Sequence, residues 1–396
     1  MTTPSALPPR LPRATRREFL TAAGGIGGTV LLTVSLPGFG ARKVVNGSEV
    51  PGLGAPGRAA RGASTQLNAW ILIGRDNAVT LIVDRSEMGQ GVYTALPMLL
   101  AEELEIPLGR VKIVAAPVGD AYINQGNSGQ ITGTSNSVQD AWEKLRLAGA
   151  QARTMLIQAA ATRWHASPAD CRVADGVVHG PGAKTLTYGE VAEAAASLPV
   201  PKDVPLKTRQ QWTLVGKPLP RLDSAAKVDG SAEFGIDVKL PGLVHAALVQ
   251  SPVLGGRVRS VDSAAAAGMP GVRRIIPLPT GVVVVADHFW QALKARSALG
   301  IIWDPGANAG LGNTGIRGLL ESAAATDPGK SARHEGDVAA ALKSAHQSLE
   351  AVYELPMLAH APMEPMNCTA DVKAGGCDLY VGTQVQQGAQ AAAAEA

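Results

Sequence analysis

Cysteine is nearly absent: there are three in 396 residues, Cys171, Cys368 and Cys377, with no C-x-x-C pair. An iron–sulfur cluster takes four ligands, mostly thiolates, so none is expected in this chain. If the protein does redox chemistry, its electrons must leave through another subunit or a diffusible acceptor. Metal-ligand spacing is missing too, since the seven histidines include no H-E-x-x-H pattern. His165, His245, His288 and His360 read as packing or surface residues. Long apolar runs are also lacking. The best stretch, from Phe19 to about Pro37, is weakly apolar and glycine-rich, short of the about 20 strongly apolar residues a membrane span needs.

What is present begins with a basic start. Residues 1–65 hold 8 Lys/Arg against 2 Asp/Glu, and the remainder 28 against 31, although the net charge is only +3. A broad phosphate-neutralising surface is therefore not expected, and nucleic acid is not an expected partner. The segment ATRREFLTAAGGIGGTVLLTVSLPG places Arg16 and Arg17 ahead of Phe19 and Leu20, and it resembles a twin-arginine export signal. That resemblance implies export of a folded protein to the periplasm, with residues 1–40 as signal and 41–65 as a flexible linker. No A-x-A-like cleavage site is clear, so an uncleaved signal serving as membrane anchor stays open.

The 46% hydrophobic and 17% charged composition is that of a globular chain, long enough for two or three domains. From Ser64 it becomes regular. AWILIG, a polar turn at Arg75-Asp76-Asn77 and AVTLIVDR predict a β-hairpin. SEMGQGVYT follows, and then a helix over Thr94 to Leu104, with Thr94 as N-cap and Pro97 in the first turn. RVKIVAAPV predicts the next strand, and GDAYINQGNSGQITGTSNS a long polar loop. A long helix follows from Ser137 to Trp164, with Ser137 and Asp140 as its start signal and Val138, Trp142, Leu145, Met155 and Leu156 on one apolar stripe. Five prolines between Ala196 and Arg221 predict extended linking chain. Further on, strands at Leu243 to Val249 and Gly281 to Ala286 with a helix at Phe289 to Leu299 predict a small α+β module. Asp223, Asp237 and Asp262 read as turn residues and caps ahead of acid/base groups.

Two glycine- and hydroxyl-rich turns feed helix starts within about 45 residues of each other. The first carries Gly89, Gln90 and Gly91, and the second Thr132, Gly133, Thr134 and Ser135. Amides without intrahelical partners, together with hydroxyls, bind anionic groups such as phosphate, and glycine lets the main chain approach. A bulge and an Ω-loop with ordinary capping explain the same residues. Neither turn matches G-x-x-x-x-G-K-[ST] or G-x-G-x-x-G, which disfavours a nucleotide-dependent enzyme.

Three blocks carry a family resemblance. EMGQGVYT with SGQITGTSNSVQDAW resembles the molybdopterin-binding region of the xanthine dehydrogenase and aldehyde oxidase family of molybdenum hydroxylases. PRLDSAAKVDGSAEFGIDVKLPGLVHAALVQSPVLGGRVRSVDSAAAAGMPGVRRII resembles that family's α/β hammerhead domain. LPMLAHAPMEPMNCTADV with VGTQ is similar to the start of its first molybdopterin domain. The order of the blocks, M-G-Q-G first and directly after an export signal, is similar to the isoquinoline 1-oxidoreductase β-subunit group.

The resemblance implies an α+β fold laid out as a molybdopterin-binding region at 66–200, a Pro-rich linker at 201–220 and a hammerhead domain at 221–306. A connecting segment at 307–350 and the start of a further molybdopterin domain at 351–396 complete it. It implies a molybdenum–molybdopterin cofactor in the cytosine dinucleotide form, with Gln90 hydrogen-bonding the oxygen ligands of molybdenum as a neutral amide donor and no direct metal ligand in the chain. Partners implied are a small [2Fe–2S] subunit and a cytochrome c acceptor, and the reaction is hydroxylation of an N-heteroaromatic such as isoquinoline, or of an aldehyde, with water as oxygen donor.

The same resemblance places the general-base glutamate beyond residue 396, so the fragment is expected to be inactive alone. Glu364 in HAPMEPMN reads as a structural or substrate-channel residue ahead of a base. Cys368 and Cys377 pair in an oxidising periplasm or stay as free core thiols. A cofactor-free periplasmic binding or scaffold protein of the same fold is the alternative function.

Overall fold

The computed structural model describes residues 30–35, 64–127, 129–355 and 357–396. The remainder of the expected export signal and almost all of the expected linker lie outside these. Two units emerge: residues up to Leu240 together with Pro362–Ala396, and Pro241–Ala361. The chain is α+β. Residues 221–240, expected with the hammerhead region, belong to the first unit.

In that unit Val30–Ser35 forms strand β1. Strands β2 (Ser64–Asn68), β3 (Ile71–Gly74) and β4 (Val79–Val83) are antiparallel neighbours, and β5 (Val111–Ala115) joins β4 in parallel. The predicted hairpin is β3–β4, with Ile71 opposite Leu81. A parallel pair requires a crossover, supplied here by helix α1 (Val92–Leu104). Ile71, Ile73, Leu81 and Ile82 are buried with Leu96, Leu100 and Leu104. The crossover places S-E-M-G-Q-G directly beyond the end of β4.

Helix α2 (Ser137–Trp164) packs on α1. Leu145, Met155 and Leu156 are buried as expected, but Val138 and Trp142 are 45% and 36% exposed. Small residues make up much of the buried face, Ala141, Ala148, Ala152 and Ala159 among them, and at Gly149 α1 comes so close that a Cβ would lie 2.6 Å from the Leu100 carbonyl oxygen. Close helix approach selects alanine and glycine, which a search for bulky apolar periodicity passes over. A small antiparallel sheet follows, β6 (Arg172–Ala174), β7 (Val177–His179) and β8 (Thr185–Thr187), then helix α3 (Tyr188–Ala196).

The expected linker is extended, and it is also fastened. Glu102, fully buried on α1, accepts the amides of Thr213 (2.9 Å), Leu214 (2.7 Å) and Val215 (3.0 Å) and the ammonium of Lys207 (3.2 Å). Its neighbour Glu103, also buried, accepts the Lys207 amide at 3.1 Å and Arg146 Nη2 at 2.7 Å. Burial raises the Glu102 pKa, but these donors outweigh it, and the carboxyl is held below its ordinary range.

The second unit contains β9 (His245–Gln250), β10 (Arg257–Asp262), β11 (Val272–Leu278), β12 (Gly281–Ala286), helix α4 (Phe289–Ser297) and β13 (Gly300–Asp304). β12 lies between β11 and β9, and β10 pairs with β13. Ala247, Val284, Ala286, Ala292 and Ala295 make its small core. This is the predicted strand–helix module, its first strand two residues later and its helix two residues shorter than expected.

The C-terminal residues rejoin the first unit, where β14 (Cys368–Lys373) and β15 (Gly376–Val381) form a hairpin, with β1 pairing antiparallel on the other side of β15. Its register sets Cys368 opposite Val381 and Cys377 opposite Val372, which separates the two cysteines along the hairpin. Both are free; Cys368 is exposed, whereas Cys377 is half-buried and packs against the small cluster around Leu379. Helix α5 (Gln386–Glu395) follows. Among the described residues no helix is long and apolar enough to cross a membrane.

Candidate functional site

The first turn, Ser86–Gly91, joins β4 to α1. Gly89 (φ +98°) and Gly91 (φ +90°) are left-handed, yet a Cβ on either would meet nothing within 4 Å. Conformation, and no neighbouring protein atom, therefore demands glycine here. The helix begins at Val92 with Gly91 as N-cap. Thr94, expected as the cap, lies inside the first turn, where its hydroxyl accepts the Leu222 amide at 3.0 Å. Pro97 consequently falls at the sixth helical position, beyond the first turn.

The amides expected to await an anion already have one. The Glu87 carboxylate accepts the amides of Gly89 (2.8 Å), Gly91 (3.1 Å) and Tyr93 (3.0 Å). A side-chain carboxylate on otherwise unpaired donors at a helix start is a favourable arrangement. Gln90 is exposed above this knot. Its Oε1 accepts the Met88 amide at 2.6 Å and its Nε2 donates to the Ser86 carbonyl at 2.9 Å. One Nε2 hydrogen has no partner among the described residues. Burial, then the charges of Glu87 and Asp223, push the Tyr93 phenol up to about 12, so it stays a hydrogen-bond donor.

The second turn differs. Thr134 (φ 54°) and Ser135 (φ 57°) are consecutive left-handed residues other than glycine, a conformation that costs about 1–2 kcal/mol per residue. Asn136 is the N-cap of α2, but its side chain pairs with Asn124 and makes no cap bond. Among the described residues, nothing accepts from the amides of Gly133, Thr134 and Ser135. Thr134 and Ser135 are exposed, and the Thr134 hydroxyl donates to Asn127 Oδ1 at 3.1 Å. Successive open amides at the start of a 28-residue helix attract negative charge.

Both turns and the V-G-T-Q block meet at one junction. The Ser86 amide donates to Thr132 Oγ1 at 2.8 Å, and the Ser86 hydroxyl donates to the Thr383 carbonyl at 2.6 Å. Thr132 and Gln384 exchange two bonds, amide to carbonyl at 2.8 Å and Gln384 Nε2 to the Thr132 carbonyl at 2.7 Å. Gln386 Nε2 donates to Ser86 Oγ at 3.2 Å, while its Oε1 is buried without a partner. The turn that carries Gly89, Gln90 and Gly91 is thus joined through Ser86 to the turn that carries Thr132, Gly133, Thr134 and Ser135.

Beneath it lies a buried charge network. Arg85 Nη1 reaches Asp84 at 2.6 Å and its Nη2 reaches Asp140 at 2.5 Å, while Lys144 contacts Asp84 at 3.0 Å and Asp140 at 2.9 Å. Asp140, expected as part of the helix start signal, spends its carboxylate here. Burial raises its pKa, but Lys144, the Gln125 amide and Arg85 outweigh that and hold it low. Two acids and two bases balance in charge, fixing the end of β4 against the first turn of α2.

Cavities of about 400 Å³ (lined by Asp170, Cys171, Arg172, His179 and Lys184 among others) and about 260 Å³ (Glu105, Ile106, Lys207 and Leu214 among others) take no lining residue from either turn. Glu364 Oε1 accepts the Gly235 amide at 3.2 Å, and its Oε2 lies 3.5 Å from the position of a Cβ on Gly382. This is the structural role read for it, beside V-G-T-Q. Asp237 caps Phe234 and Asp262 caps Ala264, as turn residues do, whereas Asp223 is ion-paired with Arg221 and Lys227. Sequence alone does not single out Ser86, Glu87, Gln384, Gln386 or Arg221. The first four adjoin the motifs, but no spacing rule marks them.

The profile of the molybdopterin cofactor-binding domain matches residues 38–267, and a second profile of the same description matches 324–396. The chain is 29% identical to the beta subunit of isoquinoline 1-oxidoreductase from Brevundimonas diminuta, over 96% of this chain and 53% of that protein. It is 29% identical to the B subunit of nicotinate dehydrogenase from Pseudomonas putida, over 81% of this chain and 27% of that one. A membrane-bound aldehyde dehydrogenase (pyrroloquinoline-quinone) of Gluconacetobacter polyoxogenes is 30% identical over 80% and 42%. The chain therefore spans about half or less of the length of these relatives. With more than half of its residues inside the first profile match, the chain belongs to the molybdopterin cofactor-binding domain family.

Proposed function

We propose that this chain is the molybdopterin-holding part of a molybdenum hydroxylase. The observation that carries this reading is the junction of Ser86, Thr132 and Gln384, which draws two loops and a strand end into one polar surface. The residues present fit an anionic, phosphate-bearing guest: among the described residues nothing accepts from the amides of Gly133, Thr134 and Ser135, which can donate to phosphate oxygens. When bound, such a cofactor supplies the two-electron redox centre at which oxygen from water is transferred to an electron-poor carbon.

The chain's own residues bind and orient. The second turn takes the anionic end through its amides. Gln90 offers one remaining N–H as a neutral donor, its carboxamide held by Met88 and Ser86. The Asp84–Arg85–Asp140–Lys144 network keeps the two turns in register.

By similarity to the relatives, the substrate is an N-heteroaromatic such as isoquinoline, or an aldehyde. The cytosine dinucleotide form of the cofactor, a small [2Fe–2S] partner subunit, a cytochrome c acceptor and twin-arginine export to the periplasm belong to the same proposal. A cofactor-free scaffold draws on one observation, the filling of the first turn's amides by Glu87.

Molybdenum and pterin analysis of the protein expressed with its partner subunit separates the two, because complete absence of both rules out the enzyme. In the loaded enzyme, Gln90→Ala lowers turnover far more than folding stability. Equal activity at equal cofactor loading refutes the role of Gln90.

A further inference from the structure

The Gly89–Gln90 peptide is gripped from outside its own turn. Arg221, at the end of the fastened strap, donates from Nη1 to the Gly89 carbonyl at 2.7 Å and from Nη2 to Glu87 Oε1 at 3.1 Å. Asp223 braces the same guanidinium, accepting from Nε at 3.1 Å and Nη2 at 3.0 Å, and Lys227 contacts Asp223 at 2.5 Å. Glu87, its side chain only 3% exposed, in turn holds the amides of Gly89, Gly91 and Tyr93. The Leu222 amide on the Thr94 hydroxyl anchors the strap's main chain to the first turn of α1.

A peptide unit is planar, so its carbonyl and the following Cα move together. Fixing the Gly89 carbonyl therefore fixes where the Gln90 side chain departs. Gly89 itself, left-handed and without a Cβ, offers little resistance to rotation of that plane. The restraint has to come from elsewhere, and Arg221 on the carbonyl with Glu87 on the flanking amides supplies it. A guanidinium spans two acceptors in one rigid fork, which a single ammonium cannot do.

We propose that Arg221 is a positioning residue for Gln90: by bridging the Gly89 carbonyl to the Glu87 carboxylate, it sets the direction in which Gln90 presents its carboxamide. This rests on the reading that Gln90 faces the molybdenum cofactor. It also gives the strap a function, since the buried Glu102 and Glu103 hold the segment that delivers Arg221 to the turn.

The test uses the protein expressed with its partner subunit and loaded with cofactor, as wild type, Arg221→Gln, Arg221→Lys, Gln90→Ala and the Arg221→Gln/Gln90→Ala double variant. Amide hydrogen exchange reads the clamp, and kcat, KM and molybdenum content read its consequence. In Arg221→Gln the amides of Gly89, Gly91 and Tyr93 exchange about tenfold faster, Leu100 in the helix interior is unchanged, and kcat falls about tenfold at constant KM and molybdenum content. Arg221→Lys recovers protection only in part and keeps the measurement available should the glutamine variant not fold. Because Arg221 acts through Gln90, the double variant loses no more kcat than Gln90→Ala alone.

Unchanged exchange at the three amides overturns the clamp. Faster exchange with unchanged kcat, or full additivity in the double variant, overturns the positioning role. A normal kcat for Gln90→Ala at equal molybdenum is a separate failure, that of the cofactor-facing reading, and the exchange result tells the two apart.

Discussion

The backbone amide of Ser86 donates to the hydroxyl of Thr132 at 2.8 Å across 46 positions of sequence. Thr132 is 3% exposed, so water does not readily replace that acceptor. Thr132→Val keeps the shape, removes the acceptor and strands the amide, and is expected to cost about 1–3 kcal/mol in urea unfolding. Thr132→Ser, which retains the oxygen, should recover most of this. Equal midpoints for valine and wild type would show that the two turns do not depend on this bond.

Glu102 makes stability dependent on acid. Its folded pKa lies below the ordinary carboxyl value, so the stabilisation is complete above that value and is lost as pH falls through the folded pKa. Glu102→Gln keeps one acceptor but turns an NH2 toward the amides of residues 213–215, at a cost of about 2 kcal/mol at pH 7. Below the folded pKa the difference between variant and wild type should shrink, because the wild-type carboxyl is protonated. A gap that stays constant from pH 7 into the acid range contradicts the assignment.

Two glycines should respond oppositely to alanine. At Gly149 the added Cβ meets the Leu100 carbonyl at 2.6 Å and Glu103 Cβ at 3.0 Å, so the helix preference for alanine is overridden and about 1–3 kcal/mol is lost. At Gly133 the nearest atom is Ile131 Cγ2 at 3.8 Å, and Gly133→Ala should be close to neutral. Thermal unfolding of both variants checks the pair, and a stabilised Gly149→Ala would contradict the close packing of α1 on α2.

The elements that were legible in the sequence had strong local signals. Strands β3 and β4 are dense in Ile, Leu and Val around a polar turn, and α2 is a 28-residue run without proline. What escaped depends on partners distant in sequence. Val138 and Trp142 suggest an apolar stripe by period, but both are exposed, and the close approach to α1 falls at Gly149. Glu87 looks like one more surface acid until the fold sets its carboxylate on three amides. Arg221 lies 132 positions from Gly89, and no spacing rule joins them. The sequence reading assigns open amides to both turns, whereas only the second keeps them.

On the proposed reading, the amides of residues 133–135 receive an anionic part of the molybdenum cofactor. Ser135→Asp tests it most directly by adding a carboxylate to the second turn itself, as Glu87 supplies one to the first. Ser135 is exposed, aspartate tolerates its left-handed backbone, and negative charge near a helix start adds about 0.3–1 kcal/mol of stability. The measurement is molybdenum and pterin content per chain in the protein expressed with its partner, alongside a urea midpoint. The expected result is an equal or higher midpoint with cofactor content reduced about tenfold or more; wild-type content in that variant would show that no anion is held there.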